Sequence, residues 1–348
     1  EPGAQTQSTP KDSGLQNSES LDAGSGYAPE GALYFAGFEP TAVLSIRALN
    51  GYLYWKRTDG AILRAPTDGS ASPIELVNCS DCTVREFETD GTHVYYLRAA
   101  AGELLQLEIS TGSIQTIDLP WAAPDYGIAV GRNYIYVAMP GCAAITRVSK
   151  ATLNVETMTI DGVAPPGQGY TELIERGEGL LCGGPNELFW IDSWGNTARS
   201  LAPIHVLHDV AIHDDVAYWK DFDDKSPPNA RIGFVPLSGG ESTIVEQPHS
   251  AGLGNMVVIS SLSKLFFHGG YSVFSFDLTE GQQRFDAWYS FPRPEAGRAI
   301  SAGSMAADDS YLYAAVSGTQ LDPDTRQPKG AYWILRLFPE RVLSAGWN

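Results

Sequence analysis

The sequence predicts an all-β fold, a single β-propeller of seven four-stranded blades. Three observations carry this prediction: a short aromatic strand recurs, a tight polar turn precedes most copies, and another apolar strand lies before each turn. The seven predicted first strands start about 37–47 residues apart, near Val43, Val84, Tyr126, Glu172, Asp209, Asn255 and Ala302. Four-stranded units of about 40–50 residues are typical of propeller blades.

Residues 51–69 show most of one unit. The strand Leu53-Tyr54-Trp55 follows the turn Asn50-Gly51, and a shorter apolar strand then leads to a second turn at 67–70. In the fifth unit, residues 231–237 and 241–247 supply the third and fourth strands. Period-2 aromatic strands bounded by Gly, Asn and Asp indicate antiparallel sheets joined by tight turns.

Composition predicts one folded domain over residues 31–348 and a tether before it. The chain is 43% hydrophobic and 18% charged, with 36 Gly and 22 Pro, which suits a turn-rich β protein. Residues 1–30 contain no Val, Ile, Phe, Met or Trp, so we expect them to form a flexible tether. Residues 31–41 are apolar enough to supply an additional strand, which leaves six or eight blades as alternatives.

Two stretches of the chain resemble the YWTD and NHL class of propeller repeats. They are residues 53–69 and 216–240, in which Trp55 and Trp219 end an aromatic strand. Both tryptophans are followed by Lys rather than Thr-Asp, and the full YWTD motif occurs nowhere. The resemblance implies a propeller fold. Since that class includes receptor modules, secreted binding proteins, lyases and lactonases, the resemblance alone selects no function.

The formal net charge of −18 argues against two classes of partner. Nucleic acid and anionic lipid both require clustered Lys and Arg. No apolar run in the sequence approaches the length of a membrane span. A tether such as 1–30 is typical of exported proteins, so we expect a monomeric cell-envelope protein that is periplasmic, secreted or anchored as a surface lipoprotein.

The four cysteines predict two disulfides. Cys79 and Cys82 have the C-x-x-C spacing, but no second pair completes a zinc site, and a strand rather than a helix follows. A local Cys79–Cys82 disulfide in an exported protein is therefore the preferred interpretation. Cys142 and Cys182 lie in neighbouring units towards the same face, which predicts a Cys142–Cys182 disulfide between blades.

The longer connections predict the working face. In a meander whose strands are lettered a to d from the axis outward, the b–c and d–a connections share one face, and here they are the longer and more varied ones. Long loops on a rigid scaffold are the usual place for binding. We expect ligand contacts there from Arg85, Asp125, Tyr126, Tyr170, Glu172, His208, Asp209 and Asn255; Glu86, His205 and His249 enter the inner strands from the same face.

Two metal chemistries remain as alternatives. His205, His208 and His249, with Glu172 or Asp209, would hold a divalent cation or act as acid and base, an arrangement that resembles the propeller lyases. Residues 221–224 and 322–325 place alternating carboxylates in loops but lack the other ligands of a calcium loop, which favours solvated turns. Neither pattern predicts a cofactor by itself.

The leading hypothesis is therefore an exported propeller that binds a protein, peptide or glycan without catalysis. The alternative from another class is a metal-dependent lyase or hydrolase with His205, His208, His249 and Glu172 at the axis. A third hypothesis is a structural component of an envelope assembly, which would require a broad apolar patch away from the predicted ligand contacts.

Overall fold

The all-β propeller is confirmed in a computed structural model of the chain. The structure describes residues 33–39, 42–78, 84–98, 101–120, 127–161, 163, 171–177, 179–184, 186–192, 197–205, 207–222, 230–246, 254–269, 272–279, 283–290, 301–321, 328–339 and 343. Within these ranges the strands form seven antiparallel sheets of four strands each. No helix among them is long and apolar enough to cross a membrane.

The strands follow the turn pattern of the sequence closely. In chain order they are β1 (Leu33–Glu39), β2 (Val43–Leu49), β3 (Tyr52–Arg57), β4 (Ile62–Pro66), β5 (Ile74–Val77), β6 (Val84–Thr89), β7 (His93–Arg98), β8 (Glu103–Glu108), β9 (Ile114–Asp118), β10 (Gly127–Val130), β11 (Tyr134–Ala138), β12 (Ala144–Ser149), β13 (Val155–Thr159), β14 (Glu172–Arg176), β15 (Gly179–Gly183), β16 (Glu187–Asp192), β17 (Ala198–Pro203), β18 (Leu207–His213), β19 (Val216–Phe222), β20 (Ala230–Pro236), β21 (Thr243–Glu246), β22 (Met256–Ile259), β23 (Lys264–Gly269), β24 (Ser272–Asp277), β25 (Arg284–Ser290), β26 (Ser301–Ala307), β27 (Leu312–Leu321) and β28 (Pro328–Leu337).

Blades 1 to 6 are consecutive meanders, from β2–β5 through β22–β25. Their first strands are innermost, and each lies against the first strand of the next blade. The contact between β26 of blade 7 and β2 of blade 1 completes the circle. The first strands therefore surround a common axis, as the sequence analysis predicts.

The ring is closed by a strand from the other end of the chain. Blade 7 consists of β26, β27 and β28, and β1 is its outermost strand. Leu33 lies opposite Arg336 and Glu39 opposite Tyr332, in antiparallel register with irregularities between them. Residues 33–39 thus complete the seventh blade rather than begin an eighth, and the count of seven is confirmed. The division into a tether and a propeller domain stays a prediction.

Aromatic side chains fill the space between neighbouring blades. Trp55 is fully buried and packs with Tyr313 and Ile334 of blade 7. Trp219 is also fully buried, and its indole lies so close to Gly233 that a Cβ there would be 2.1 Å from the ring. The recurring aromatic strand is therefore a packing element, and at position 233 only glycine leaves room for its partner.

Aspartates organise two of the tight turns between first and second strands. The Tyr95 hydroxyl donates to Asp90 Oδ2 at 2.9 Å, and the Tyr313 hydroxyl donates to Asp308 Oδ2 at 2.7 Å. Asp90 also accepts the Lys150 ammonium at 2.8 Å from the next blade. Each carboxylate thus links a turn to the aromatic strand that follows it.

The disulfide predicted between neighbouring blades is confirmed. Cys142, just after β11 of blade 3, is bonded to Cys182 of β15 in blade 4, and both residues are fully buried. Cys79 and Cys82 lie outside the described residues, so their disulfide stays a prediction.

Removing β1 tests how the ring is closed. A chain lacking residues 1–40 leaves blade 7 with three strands and exposes the edge of β28, so its melting temperature should fall by about 10 °C or more, or the chain should aggregate. The control lacks residues 1–30 and keeps β1, and its melting temperature should stay within about 2 °C of the full chain. Equal melting temperatures for the two truncations, measured by differential scanning calorimetry, would contradict closure by β1.

Candidate functional site

A cavity of about 810 Å³ runs along the propeller axis. Inner-strand residues of all seven blades line it. One residue from each blade lies at the same level, close to the start of the first strand, and we call this set the axial ring: Ser45, Glu86, Gly127, Glu172, Asp209, Asn255 and Ser304. The ring lies towards the face of the long connections, since those connections lead into the first strands.

Strand register fixes the level of the ring. Ser45, Gly127, Glu172, Asp209 and Ser304 lie opposite equivalent second-strand residues, which are Lys56, Ala138, Gly183, Lys220 and Ala315. Glu86 and Asn255 are placed by their neighbours. Phe87 pairs with Tyr96 and Met256 pairs with Phe267, and these two aromatics occupy the second-strand position of Trp55 in blade 1.

Three ring side chains brace the blades that follow them. Asp209 accepts the Met256 N–H through Oδ2. The Asn255 amide bonds both backbone groups of Met305, each at 2.6 Å. Ser304 Oγ accepts the Ile46 N–H at 3.3 Å. We call blades 5, 6 and 7 the braced arc, because each of their ring side chains holds the backbone of the next blade.

The other four ring residues form an open arc over blades 1 to 4: Ser45, Glu86, Gly127 and Glu172. Within the described residues, none of their side chains bonds the next blade. Ser45 Oγ is buried without a hydrogen-bond partner there. In the part of the chain that the structure describes, the side chains of Asp209, Asn255 and Ser304 therefore bond the next blade, and those of Ser45, Glu86 and Glu172 do not.

Gly127 is the ring residue without a side chain. A Cβ at this position would lie 2.6 Å from the Thr171 carbonyl oxygen, so close packing of blades 3 and 4 demands glycine. Glu86 of blade 2 and Glu172 of blade 4 line the cavity on either side of this glycine.

Electrostatics single out Glu172. Its pKa is raised well above the usual value, first because burial removes hydration and then because the charges of Asp209 and Glu86 repel its own. Glu88 adds to the repulsion, and Arg47 acts in the opposite direction. Convergence of inner strands thus places like charges from separate blades in a poorly hydrated space.

Arg47 is already engaged by its own surroundings. Its Nε donates to Glu88 Oε1 at 2.6 Å, and its Nη1 donates to the Ile46 carbonyl at 3.0 Å. The pair joins blades 1 and 2 one step further along the axis than the ring. Arg47 therefore offsets part of the negative charge around Glu172, but its shortest hydrogen bond is to Glu88.

Asp209 is backed by a buried lysine on its own blade. Burial raises the pKa of Asp209 to about 6, against the effect of the N–H groups it accepts. Burial lowers the pKa of Lys220 to about 8, although the charge of Asp209 opposes this. The Lys220 ammonium donates to the His268 carbonyl at 3.4 Å and lies 4.9 Å from the Phe267 ring centroid, both in blade 6. The Lys220 side chain therefore joins blade 5 to blade 6 beside Asp209.

Of the histidines of the metal hypothesis, His205 and His208 do not line the cavity, and His249 lies outside the described residues. His205 is exposed, and its backbone N–H donates to Asp221 Oδ2 at 3.3 Å. His208 is half-buried, and burial together with the nearby charge of Lys220 lowers its pKa to about 4. Among the described residues, no three His, Cys, Asp or Glu side chains are arranged to hold a metal.

The structure brings three of the eight predicted ligand residues to the cavity wall. These are Glu172, Asp209 and Asn255. Asp125, Tyr126, Tyr170 and His249 lie outside the described residues, as does the side chain of Arg85. The binding roles of all these residues stay predictions.

Sequence reasoning did not single out Ser45, Arg47, Gly127 or Ser304. The sequence could have indicated them by position, because each lies within the first few residues of a first strand. Aligning the seven units on their aromatic strands identifies that step without a structure.

No family model and no curated protein sequence matches the chain. Solved structures do, among them a catalytically inactive variant of virginiamycin B lyase from Staphylococcus aureus, solved with quinupristin. It is 14% identical, with a TM-score of 0.63 over 88% of this chain and 99% of that chain. A streptogramin B lyase is 13% identical, with a TM-score of 0.64 over 87% and 96%.

The WD40 repeats of RRP9 are about as similar to this chain in structure as the two lyases are. They are 11% identical, with a TM-score of 0.65 over 90% of this chain and 99% of that chain. At such identities the likeness shows the fold alone. This chain is therefore similar to propeller proteins in fold, and its particular resemblance to the YWTD and NHL class stays a prediction.

Replacing Glu172 tests the electrostatics of the ring. The raised pKa values of Glu172 and Asp209 mean that folding favours their protonated forms. Asp209 therefore lowers the free energy of unfolding as pH rises from about 4 through 6, and Glu172 lowers it as pH rises above 4.5. Each unit by which folding raises a pKa corresponds to about 1.4 kcal/mol. Glu172→Gln should therefore raise the free energy of unfolding at pH 7.5 by at least about 1 kcal/mol and change it little at pH 4.5.

Urea unfolding at the two pH values measures this difference, with the wild-type protein as the reference. The control is Glu241→Gln in the exposed turn between β20 and β21, which should shift both values alike. Destabilisation by Glu172→Gln at pH 7.5 would show that the carboxylate is favourably paired, contrary to the geometry described here.

Proposed function

We propose that this protein is an exported, non-catalytic binding module that takes a protein, peptide or glycan ligand at the face of the long connections. The observation that carries the proposal is the axial cavity with its open arc. A concave site with a few convergent polar groups is the usual form of a binding site. Here Ser45, Glu86 and Glu172 face such a cavity without a structural bond among the described residues.

The connections that lead into the first strands support the same face. The longest of them span 160–171, 247–255 and 291–300, whereas the turns between first and second strands are as short as Asn50-Gly51 and Asp214-Asp215. Varied loops around a rigid rim suit recognition of a partner.

Two features support export and attachment. A buried disulfide joins blades 3 and 4, as is common in oxidising compartments. The chain enters β1 at Leu33, opposite Arg336 near the end of β28 and on the face away from the axial ring. An N-terminal anchor would therefore leave the ring pointing outward to a ligand.

Ligand arrays test the proposed function. Fluorescently labelled full chain is applied to a peptide array and a glycan array, and the dissociation constants of the strongest ligands are then measured in solution. Ser45→Ala and Glu86→Gln should each weaken those ligands about tenfold, the usual effect of losing one good polar contact of about 1.4 kcal/mol. Glu156→Gln, on the outer strand, should leave them unchanged. Absence of any ligand, or ligands that are unaffected by both ring variants, would overturn the proposal.

A metal-dependent lyase or hydrolase is the second candidate. The lowered pKa of His208 favours it, because a neutral imidazole is the form that binds metal. Elemental analysis of purified protein separates the candidates. Under the binding proposal, divalent metal is well below one equivalent, and His208→Ala and the control His93→Ala give the same value. About one equivalent that is lost only in His208→Ala would favour the enzyme.

A further inference from the structure

We propose that the hairpin of β27 and β28 binds an extended peptide segment of a partner protein, which joins blade 7 as an added β-strand along residues 318–321. The proposal rests on the proposed function, since it names the class of ligand and a contact surface on the same face. Three observations carry it: the hairpin extends beyond its neighbours, one of its edges is unpaired among the described residues, and its other edge lacks a hydrogen-bond donor.

The β27–β28 hairpin is longer than the strands on either side of it. Its last four cross-strand pairs join residues 318–321 to residues 328–331. On the inner side β26 begins opposite Ser317, and on the outer side β1 ends opposite Tyr332. We call the four pairs beyond these limits the arm. At about 3.4 Å per residue, the arm extends about 14 Å past both neighbouring strands.

The arm lies on the face of the long connections, because the β27–β28 connection is the b–c connection of blade 7. The ring residue Ser304 pairs with Ala315, and Leu321 lies further along β27 in the same direction by roughly 20 Å. The innermost strand, β26, covers the axial side of β27 as far as Ser317. Past that residue the same edge of β27, which we call the inner edge, therefore faces the axis on the side of the axial ring.

The backbone groups of Thr319 and Leu321 point to the inner edge. In an antiparallel strand the N–H and C=O of one residue point to the same edge, and successive residues alternate. The Asp308 N–H donates to the Tyr311 carbonyl at 3.1 Å across the turn from β26 to β27, so odd-numbered residues of β27 face β26. β27 then pairs with β28 as far as Leu321 without a register shift. Within the described ranges, no strand pairs with the inner edge beyond Ser317.

The outer edge of the arm is protected from pairing, whereas the inner edge is not. Pro328 lies opposite Leu321, so its backbone points outward, where a proline offers no N–H. Proline on an edge strand is a common protection against pairing with another chain. Residues 318–321 contain no proline and no charged residue, so the inner edge keeps its donors and acceptors. Another extended backbone complements such a row, which is how strand addition recognises peptides.

Hydrogen exchange tests the inner edge without any ligand. In the free full chain we expect the N–H groups of Thr319 and Leu321 to exchange at least about a hundredfold faster than that of Ala315, which is paired with β26. Amide-resolved exchange measured by NMR gives these rates. Slow exchange of both groups would overturn the inference, because the edge would already be paired with another segment of this chain or with a second copy.

Peptides with altered backbones test the occupant. The probes are the strongest-binding peptide of the array and two derivatives that are N-methylated at alternate residues, one at each set. Strand addition uses one edge of a peptide, so one derivative should bind about tenfold more weakly than the parent and the other should bind within about twofold. Fluorescence anisotropy with the full chain measures the dissociation constants.

Variants of the arm test the edge that is used. Thr319→Pro removes an N–H from the inner edge and should weaken the parent peptide about tenfold. Thr319→Ala keeps that N–H and should bind within about twofold of wild type. The matched control is Gly330→Pro, which removes an N–H from the outer edge, since Gly330 lies opposite Thr319, and it should also bind normally. A melting curve of each variant verifies that it is folded.

Every outcome decides the question. Absence of a peptide ligand, equal dissociation constants for the two methylated derivatives, or normal binding by Thr319→Pro overturns the inference. Equal losses in Thr319→Ala and Thr319→Pro would assign the contact to the threonine side chain and overturn it as well. If the arrays yield ligands that depend on Ser45 and Glu86 but not on Thr319, the proposed binding function stands and only strand addition fails.

Discussion

Convergence of seven inner strands on one axis is the constraint on which the site depends. Each blade is a local meander, yet its first strand meets strands from blades far away in sequence. Glu86, Glu172 and Asp209 are separated by 123 positions of chain from first to last, and they repel one another in one partly dehydrated cavity. The repulsion between these carboxylates therefore arises only when the blades come together, and no single blade contains it.

The ring contains polar groups that hold neighbouring blades and polar groups that do not. Asp209, Asn255 and Ser304 use their polar atoms to hold neighbouring blades, so burial of these groups is compensated by hydrogen bonds. Ser45, Glu86 and Glu172 receive no such compensation from the described residues. A protein optimised only for stability would replace them, and uncompensated polar groups of this kind are typical of functional sites.

Much of the fold was predictable because its determinants are local. Turn chemistry and aromatic alternation placed the first strands near Val43, Val84 and Glu172, where β2, β6 and β14 begin. The position of Cys142 and Cys182 in neighbouring units sufficed to predict their disulfide. Closure by β1 was less accessible, since an apolar stretch before the first unit fits either an extra blade or the last strand of the seventh.

The site was predictable only in part, because its properties arise between blades. Glu172, Asp209 and Asn255 were expected at the axis from their positions at strand starts, and they line the cavity. Which of them would hold the next blade depends on side-chain geometry across an interface. The engagement of Arg47 with Glu88 and the clash that requires glycine at 127 are likewise contacts between strands of different blades.

The most direct test of this account is the titration of Glu172 itself. Carboxyl carbon chemical shifts in protein labelled with ¹³C-glutamate, followed from pH 3 to pH 9 with Glu172→Gln for assignment, report its protonation. The account predicts a midpoint well above 4.5, the ordinary value of a glutamate, because burial and the charges of Asp209 and Glu86 disfavour the anion. A midpoint at or below 4.5 in the free protein would contradict it, because Glu172 would then already be stabilised as an anion by the protein.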